Sequence, residues 1–298
     1  MIDSKLETLL VVTETKSFTK AAAQLSLTQP AVSQHIRQLE RELGVKIFVR
    51  GSGELRLTEE GEIVHKYAKR IQVLYQNMRQ SLIDSKRHFT RLAVGVTHTA
   101  ESNLVLEALA QYGNQHGGIL LTIVSDTITN LYNKLKTYEI DIAIIEGKFS
   151  DPNFNSLLLD TDYLVLAVSN DNPLSRKSMV TLRELQKEKM ILRLPNSATR
   201  GLFISHLESN NYSIEDFNVI MEVDNIEIIK DLIRHNFGVS ILARSACLDE
   251  LKKGKLQVLP IENLSMTREV NIIYHKDFAH LDLLDDLTKL YHQTANME

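Results

Sequence analysis

Polar side chains of the kind that read nucleic acid recur at helical spacing in residues 26–44, SLTQPAVSQHIRQLERELG. Glutamine can pair with adenine, arginine with guanine, and serine with several base edges in the major groove. Apolar residues recur every three or four positions in the same stretch, which predicts a helix with one buried face. The polar face contains Gln29, Ser33, Gln34 and Arg37, and the apolar face contains Val32, Ile36, Leu39 and Leu43. This pattern alone fits both a face that reads DNA and a solvated face of a small helical bundle.

The elements before this helix predict a helix-turn-helix. A first helix is expected over residues 3–15, and Ser17 is suited to cap a short alanine-rich helix, FTKAAAQL. After a turn at residues 26–27, Thr28 can cap the opening helix, whose first turn tolerates Pro30 because its N–H groups have no intrahelical partner. In such a motif the N-terminal part of the second helix enters the major groove.

A wing is predicted after the second helix. Residues 46–57, KIFVRGSGELRL, indicate two short strands joined by a turn at residues 51–53. Arginines beside that turn, and a lysine on the preceding helix, are suited to contact phosphates. The full set of predicted DNA contacts is Lys20, Thr28, Gln29, Pro30, Ser33, Gln34, Arg37, Arg50 and Arg56.

A long helix is predicted from about Thr58 to Lys86. Its apolar residues follow a coiled-coil-like seam of Ile63, Tyr67, Ile71, Leu74, Met78 and Leu82. Such a seam is buried either against a second subunit, which would make this a dimerisation helix, or against the rest of the same chain.

From Arg91 onward the pattern is that of an α/β fold with a largely parallel sheet or sheets. The strand candidates, with helical patterns between most of them, are LAVGV, ILLTIV, IDIAII, YLVLAV, MILRL, VIMEV, VSIL and VNIIYH. About 200 residues suit two small lobes. Two crossing strands between the lobes are expected near 159–163 and 264–270.

Two loops of this region carry ligand-binding chemistry. Thr97, His98 and Thr99 follow one strand, and Ser197, Thr199 and Arg200 follow another, each just before a predicted helix. Hydroxyls, free N–H groups at a helix start and a guanidinium suit a carboxylate, sulfate or phosphate. Helix capping is the alternative role of the hydroxyls. A metal or pH switch at His98 is disfavoured, because no second ligand lies beside it at metal-ligand spacing.

Composition limits the function classes. The 298-residue chain has a net charge of −4, no apolar run of membrane length and a single cysteine, Cys247. Residues 1–90 hold 14 basic and 10 acidic side chains, a balance of +4 that favours a polyanion as partner of this part. No nucleophile elbow, phosphate-binding glycine loop or metalloprotease motif is present, so we expect no enzyme activity, no cofactor and no metal. The expected location is a reducing cytoplasm, without a membrane partner.

The stretch SFTKAAAQLSLTQPAVSQHIRQLERELGVKIFVR, followed by LTEEG, resembles the signature of LysR-type transcriptional regulators over residues 17–61. The resemblance implies a winged helix-turn-helix, a dimerising linker helix and a two-lobed effector domain like periplasmic binding proteins, assembled as a dimer or tetramer. The implied domains are 1–57, 58–90 and 91–298, with lobes of about 91–161 plus 267–298 and about 162–266. Promoter DNA, a small-molecule effector and RNA polymerase are the implied partners. Gly53 departs from the basic residue common in the family's wing.

The resemblance also implies an effector site between the lobes. It adds Glu146 and Asn225 to Thr97, His98, Thr99, Ser197, Thr199 and Arg200 as lining residues. LRLPNSATR resembles the LREPGSGTR of a branch that includes CysL-like regulators of sulfur assimilation and CbbR-like regulators of carbon fixation. Leu194, Asn196 and Ala198 depart from that pattern. We expect a small anionic metabolite. The alternatives are a cytoplasmic small-molecule-binding protein or an enzyme that uses the same fold.

Overall fold

The computed structural model describes residues 3–49, 55–86, 90–97, 103–147 and 151–297. The chain forms two compact units. The first comprises Met1–Arg91 and Asn133–Ile140, and the second comprises Leu92–Tyr132 and Asp141–Glu298. The predictions for Arg50, His98, Thr99 and the wing turn at 51–53 lie outside the described residues.

Three short helices begin the first unit, and a side chain caps each of them. They are α1 (Ser4–Thr15), α2 (Phe18–Gln24) and α3 (Gln29–Leu43). The caps Asp3, Ser17 and Thr28 accept hydrogen bonds from backbone N–H groups of the first turns, which have no partner within the helix. Helix α3 ends at Gly44, whose φ of 69° is readily adopted by glycine.

The apolar face of α3 is shorter than its sequence pattern predicts. Val32, Ile36 and Leu39 are buried in a core with Leu9, Val12 and residues of α2. Leu43, predicted to share that face, is 49% exposed. Leu43 lies in the last turn of α3 before Gly44, so the structure differs from the prediction only at the end of the helix.

The described residues of the predicted wing strands make an antiparallel contact. Phe48 and Leu57 form an isolated bridge, and the Val49 N–H donates to the Arg56 carbonyl at 2.9 Å. The described part of this segment, 46–49 and 55–57, therefore pairs in the antiparallel direction, as two short strands joined by a turn would.

Helix α4 (Glu59–Ser85) occupies the segment predicted to form a long helix. The Thr58 hydroxyl accepts from the Gly61 N–H at 2.9 Å and donates to the Lys46 carbonyl at 2.5 Å. A β-carbon on Gly61 would collide with the Ile47 carbonyl oxygen, so the start of α4 packs closely against the first residues of the wing segment. The predicted seam is largely exposed: Ile63 57%, Tyr67 54%, Ile71 45%, Leu74 45%, Met78 51% and Leu82 62%.

The second unit is an α/β structure with a mixed sheet. Its strands are β1 (Thr90–Thr97), β2 (Ile119–Asp126), β3 (Ile142–Glu146), β4 (Phe154–Val168), β5 (Lys189–Leu192), β6 (Asn218–Glu222), β7 (Ser240–Ala243), β8 (Gln257–Leu259) and β9 (Thr267–His275). Its helices are α5 (Asn103–Gln115), α6 (Ile128–Lys136), α7 (Leu182–Leu185), α8 (Ala198–Ser209), α9 (Ile226–Arg234), α10 (Leu248–Lys252) and α11 (Leu281–Met297). By its contacts, the end of α6 belongs to the first unit.

Strand direction differs from the predicted, largely parallel arrangement. Seven described strands form one sheet in the order β2-β1-β3-β9-β4-β7, with β8 also paired to β4, and β5 pairs with β6. The β1–β3 and β5–β6 pairs are parallel, but β4 and β9 run antiparallel to each other and to their other neighbours. These two strands are antiparallel because β4 runs from one hydrophobic core to the other and β9 runs back.

Two of the hydrophobic cores formed by the described residues divide these two strands between them. One core contains residues of β1, β3, α5 and α11 together with Leu159 of β4 and Ile272 of β9. The other contains residues of β5, β7 and α8 together with Leu164 and Leu166 of β4. The stretch of β4 and β9 between the cores carries the register pairs from Asp160–Val270 to Tyr163–Thr267.

Candidate functional site

The exposed face of α3 presents a stripe of polar side chains one turn apart. The Gln29 Nε2 donates to the Ser33 Oγ at 3.0 Å, and the Arg37 Nε donates to the Ser33 carbonyl at 3.2 Å. Gln29, Gln34 and Arg37 are exposed, and Ser33 is half-buried. These bonds are all within α3, so the side chains can exchange them for partners on another molecule.

The remaining predicted DNA contacts of the described part also lie at the surface. Lys20, Thr28, Pro30 and Arg56 are exposed. Thr28 additionally caps α3, which leaves its side chain at the N-terminus of that helix, where the partial positive charge favours phosphate.

A cavity of about 430 Å³ lies in the second unit, within the size range of small-molecule sites. Strand ends and helix starts form its walls. The lining residues are Thr97, Asp126, Thr127, Ile128, Thr129, Glu146, Arg193, Pro195, Asn196, Ser197, Ala198 and Asp224.

Arg193 is a buried cation on the wall of this cavity, with a side chain 4% exposed. Its Nη2 donates to the Asp224 Oδ1 at 3.2 Å, whereas Nε and Nη1 have no hydrogen-bond partner among the described residues. Burial lowers the pKa of Arg193, and Asp224 and Glu146 oppose that shift; the guanidinium still remains protonated at neutral pH. Two donors of a buried cation therefore lack acceptors, which is costly unless a ligand or water supplies them.

Two helix N-termini reach the same cavity. The Ser197 Oγ accepts from the Arg200 N–H at 3.4 Å at the start of α8, and the Thr127 Oγ1 accepts from the Asn130 N–H at 3.3 Å at the start of α6. Both capping residues line the cavity. Their helix dipoles add to the Arg193 charge in favouring an anionic group.

Beside the cavity, Arg268 of β9 joins several elements of the second unit. Its Nη2 lies 3.2 Å from the Asp162 Oδ2 on β4, and its Nη1 lies 3.5 Å from the Glu146 Oε1 at the end of β3. Nη1 also donates to the Thr199 Oγ1 of α8 at 3.4 Å. The other Glu146 oxygen, Oε2, accepts from the Thr97 hydroxyl.

The structure brings three of the predicted effector residues to the cavity: Thr97, Glu146 and Ser197. Thr199, Arg200 and Asn225 are not among its lining residues. Thr199 is buried and turned towards Arg268. The Arg200 Nη1 donates to the Glu222 Oε1 of β6 and to the Arg193 carbonyl. Asn225 caps α9 by accepting from two backbone N–H groups.

The forked anion contact predicted for Arg200 stays a prediction: Nη1 is engaged by Glu222 and by the Arg193 carbonyl, and Nε has no hydrogen-bond partner among the described residues. Arg193 lies on the cavity wall and was not among the residues predicted from the sequence. A charged residue at the end of the apolar run MILRL was the available signal. Asp126, Thr127 and Asp224 were also missed, because each follows a different strand and only the fold brings them together.

Neither a metal site nor a membrane-spanning helix is found in the described residues. Within the described residues, no cluster of three or more histidine, cysteine, aspartate or glutamate side chains is placed to hold a metal ion. In the part of the chain that the structure describes, no helix combines the length and apolar character needed to cross a bilayer.

Comparison with known proteins identifies both parts of the chain. Residues 4–62 match the family model of the bacterial regulatory helix-turn-helix protein, lysR family, and residues 86–295 match that of the LysR substrate binding domain. The probable RuBisCO transcriptional regulator of Thalassiosira pseudonana is 30% identical over 271 residues, covering 88% of this chain and 87% of the relative. The regulator CysL of Bacillus subtilis is 25% identical over 271 residues, covering 90% and 89%.

Solved structures agree on the fold. Full-length CbnR in complex with its target DNA aligns over 99% of this chain and 100% of its own, with a TM-score of 0.70 and 16% sequence identity. The matching families and named relatives are transcriptional regulators rather than enzymes, and the relatives include those that the LRLPNSATR loop resembles. The chain belongs to the LysR family of transcriptional regulators, with a helix-turn-helix for DNA and a substrate-binding domain for a small-molecule effector.

Proposed function

We propose that this regulator senses a small metabolite with an anionic group, bound in the cavity beside Arg193. The observation that carries the proposal is that two donor atoms of Arg193, on the cavity wall, have no acceptor in the part of the chain that the structure describes. The α6 and α8 N-termini on the same wall support it. The names of its relatives make genes of carbon or sulfur metabolism the first targets to examine.

We further propose that residues 1–57 bind DNA, 58–90 dimerise, and 91–298 bind the effector. The lobes are about 91–161 with 267–298, and about 162–266. The exposed polar stripe of α3 supports the first assignment, and the exposed apolar seam of α4 supports the second. The separate cores along β4 and β9 support the division into lobes. In this arrangement effector binding changes lobe closure, and differential affinity for the two states drives the switch.

The DNA assignment is tested by gel-shift titration of promoter fragments with wild type, Gln29→Ala and Arg37→Ala. Each variant should lose about 1–3 kcal/mol of discrimination between the operator and an operator changed at one base pair, if the side chain reads a base edge. An equal loss on all sequences would restrict that residue to phosphate contact.

The effector assignment is tested by calorimetry on the full chain with carboxylates, sulfate and phosphate as probes. Arg193→Gln should weaken binding at least about tenfold, because a hydrogen bond to a charged group contributes roughly 1.5–3 kcal/mol. Arg234→Gln is the matched control, because Arg234 pairs with Asp231 and does not line the cavity. Equal binding by Arg193→Gln and wild type would contradict the proposal.

A further inference from the structure

The cavity wall is not simply cationic. Arg193 is the one cationic residue among the described residues of the wall, whereas Asp126, Glu146 and Asp224 contribute three carboxylates. Asp224 is paired with Arg193 but is 64% exposed, and the Asp126 Oδ1 accepts from the Thr127 N–H at 2.8 Å and from the Asn130 Nδ2 at 2.7 Å. A multiply charged anion would therefore meet three negative groups as well as one positive group.

Glu146 is the buried carboxylate of this wall, with a side chain 1% exposed. Its Oε2 accepts from the Thr97 hydroxyl, but its Oε1 accepts no hydrogen bond from the described residues. The Arg268 Nη1 lies 3.5 Å from that oxygen without donating to it. Arg268 compensates the charge of Glu146 but leaves Oε1 without a hydrogen-bond donor among the described residues, and a buried acceptor without a donor is unfavourable.

Arg193 and Glu146 thus lack complementary hydrogen-bond partners. Among the described residues, Arg193 has no acceptor for Nε and Nη1, and Glu146 has no hydrogen-bond donor for Oε1. Both residues line one cavity, so one small molecule can satisfy both if it carries an anionic group and a cationic hydrogen-bond donor.

We propose that the effector is a small zwitterion of the α-amino acid class, with its anionic group at Arg193 and its ammonium group at Glu146. This inference rests on the proposed function, because it assumes that the effector occupies this cavity. It adds the requirement for an ammonium group and a specificity role for Glu146. Inorganic anions satisfy Arg193 but are disfavoured by the carboxylates of the wall.

The test is calorimetric titration of the full-length wild type with matched pairs of compounds. Each protein amino acid with an α-ammonium group is paired with the acid of the same carbon skeleton that lacks it, and sulfate and phosphate are added as inorganic probes. We expect at least one amino acid to bind at least tenfold more tightly than its deaminated partner and than either inorganic anion.

Two results would overturn the inference in different ways. If sulfate, phosphate or the deaminated acids bind as tightly as the amino acids or more tightly, the zwitterion class is wrong and the proposed anion site stands. If no compound with an anionic group binds, the proposed function fails and the inference fails with it.

A variant tests the role of Glu146 directly. Glu146→Gln keeps the size of the side chain but removes the charge, so the amino acid that binds wild type should lose at least tenfold in affinity. Its deaminated partner should bind the variant as well as it binds wild type, or better. Glu208→Gln, on the exposed surface of α8, is the matched control and should change neither affinity. An unchanged preference for the amino acid in Glu146→Gln would remove Glu146 from the site.

Discussion

Arg268→Met should destabilise the crossing region of β4 and β9 by about 3 kcal/mol. Arg268 is the register partner of Asp162, and its side chain is only 6% exposed. Methionine can fill much of the space of the arginine stem, but it leaves the Asp162 and Glu146 carboxylates without their shared cation.

The magnitude follows from the groups that remain. Removal of one partner from a buried ion pair typically costs 3–5 kcal/mol, since the other charge stays buried and uncompensated. Asp162 keeps the Ser245 hydroxyl at 2.8 Å and the Tyr163 N–H at 2.8 Å. Glu146 keeps the Thr97 hydroxyl. These retained donors place the expected loss near the lower end of the range.

Native-state hydrogen exchange is the appropriate measurement, because a chain of two units need not unfold in one step. The protected amides of β4 and β9 should exchange faster in Arg268→Met by the factor that corresponds to about 3 kcal/mol, roughly a hundredfold. Arg234→Met is the control, because Arg234 pairs with the largely exposed Asp231 and such pairs contribute roughly 0–1 kcal/mol. A loss of under about 1 kcal/mol in Arg268→Met would refute the view that this arginine compensates two buried carboxylates.

Three further predictions concern other parts of the chain. Gly61→Ala should lower the free energy of unfolding of the first unit by about 1–3 kcal/mol, because the added β-carbon would collide with the Ile47 backbone. Gly201→Ala is the control: its β-carbon on α8 would meet open space, so this variant should be neutral or stabilising. Both variants are compared with wild type by scanning calorimetry. Leu74→Asp should shift the full chain towards smaller oligomers in analytical ultracentrifugation, because it places a charge in the apolar seam. Gln76→Glu, on another face of α4, should leave the oligomeric state unchanged. Equal behaviour of the two variants would contradict dimerisation through the seam. Burial raises the pKa of the Cys247 thiol to about 12, so iodoacetamide at neutral pH should alkylate Cys247 only as fast as the protein opens, and alkylation at the rate of a free thiol would show an accessible cysteine.

The helices of the first unit could be predicted because their signals are local. Ser17, Thr28 and Thr58 each cap the helix that follows, and a cap acts on the three residues beside it. The seam of α4 was likewise readable from spacing alone. The exposure of Leu43 was not, because it depends on how much neighbouring surface is available to cover that side chain.

The strand pattern of the second unit could be predicted better than its pairing. The apolar runs identified eight of the described strands. They did not identify β8, because its three residues are too few to show a strand pattern. Phe154–Val168 forms one strand of 15 residues, although the sequence analysis placed a crossing segment and a separate strand there. The direction of β9 could not be predicted, because β9 follows β4 by about a hundred residues and its own residues do not show that it runs back beside β4.

The cavity shows the same limit at the level of single side chains. The PNSATR loop was identified from its residue types, and Asn196 and Ala198 replace the glycines of the related pattern without strain, because neither has a positive φ. Within this loop the sequence favoured Arg200 as the anion contact, since its guanidinium stands at a helix start. Glu222, on a strand 22 positions later, engages Arg200 and leaves Arg193 as the buried cation on the wall. Ligand chemistry in such a site is therefore decided by which charges the fold has already paired, and the Arg193 and Glu146 atoms without a hydrogen bond to the described residues are the ones that define the expected effector.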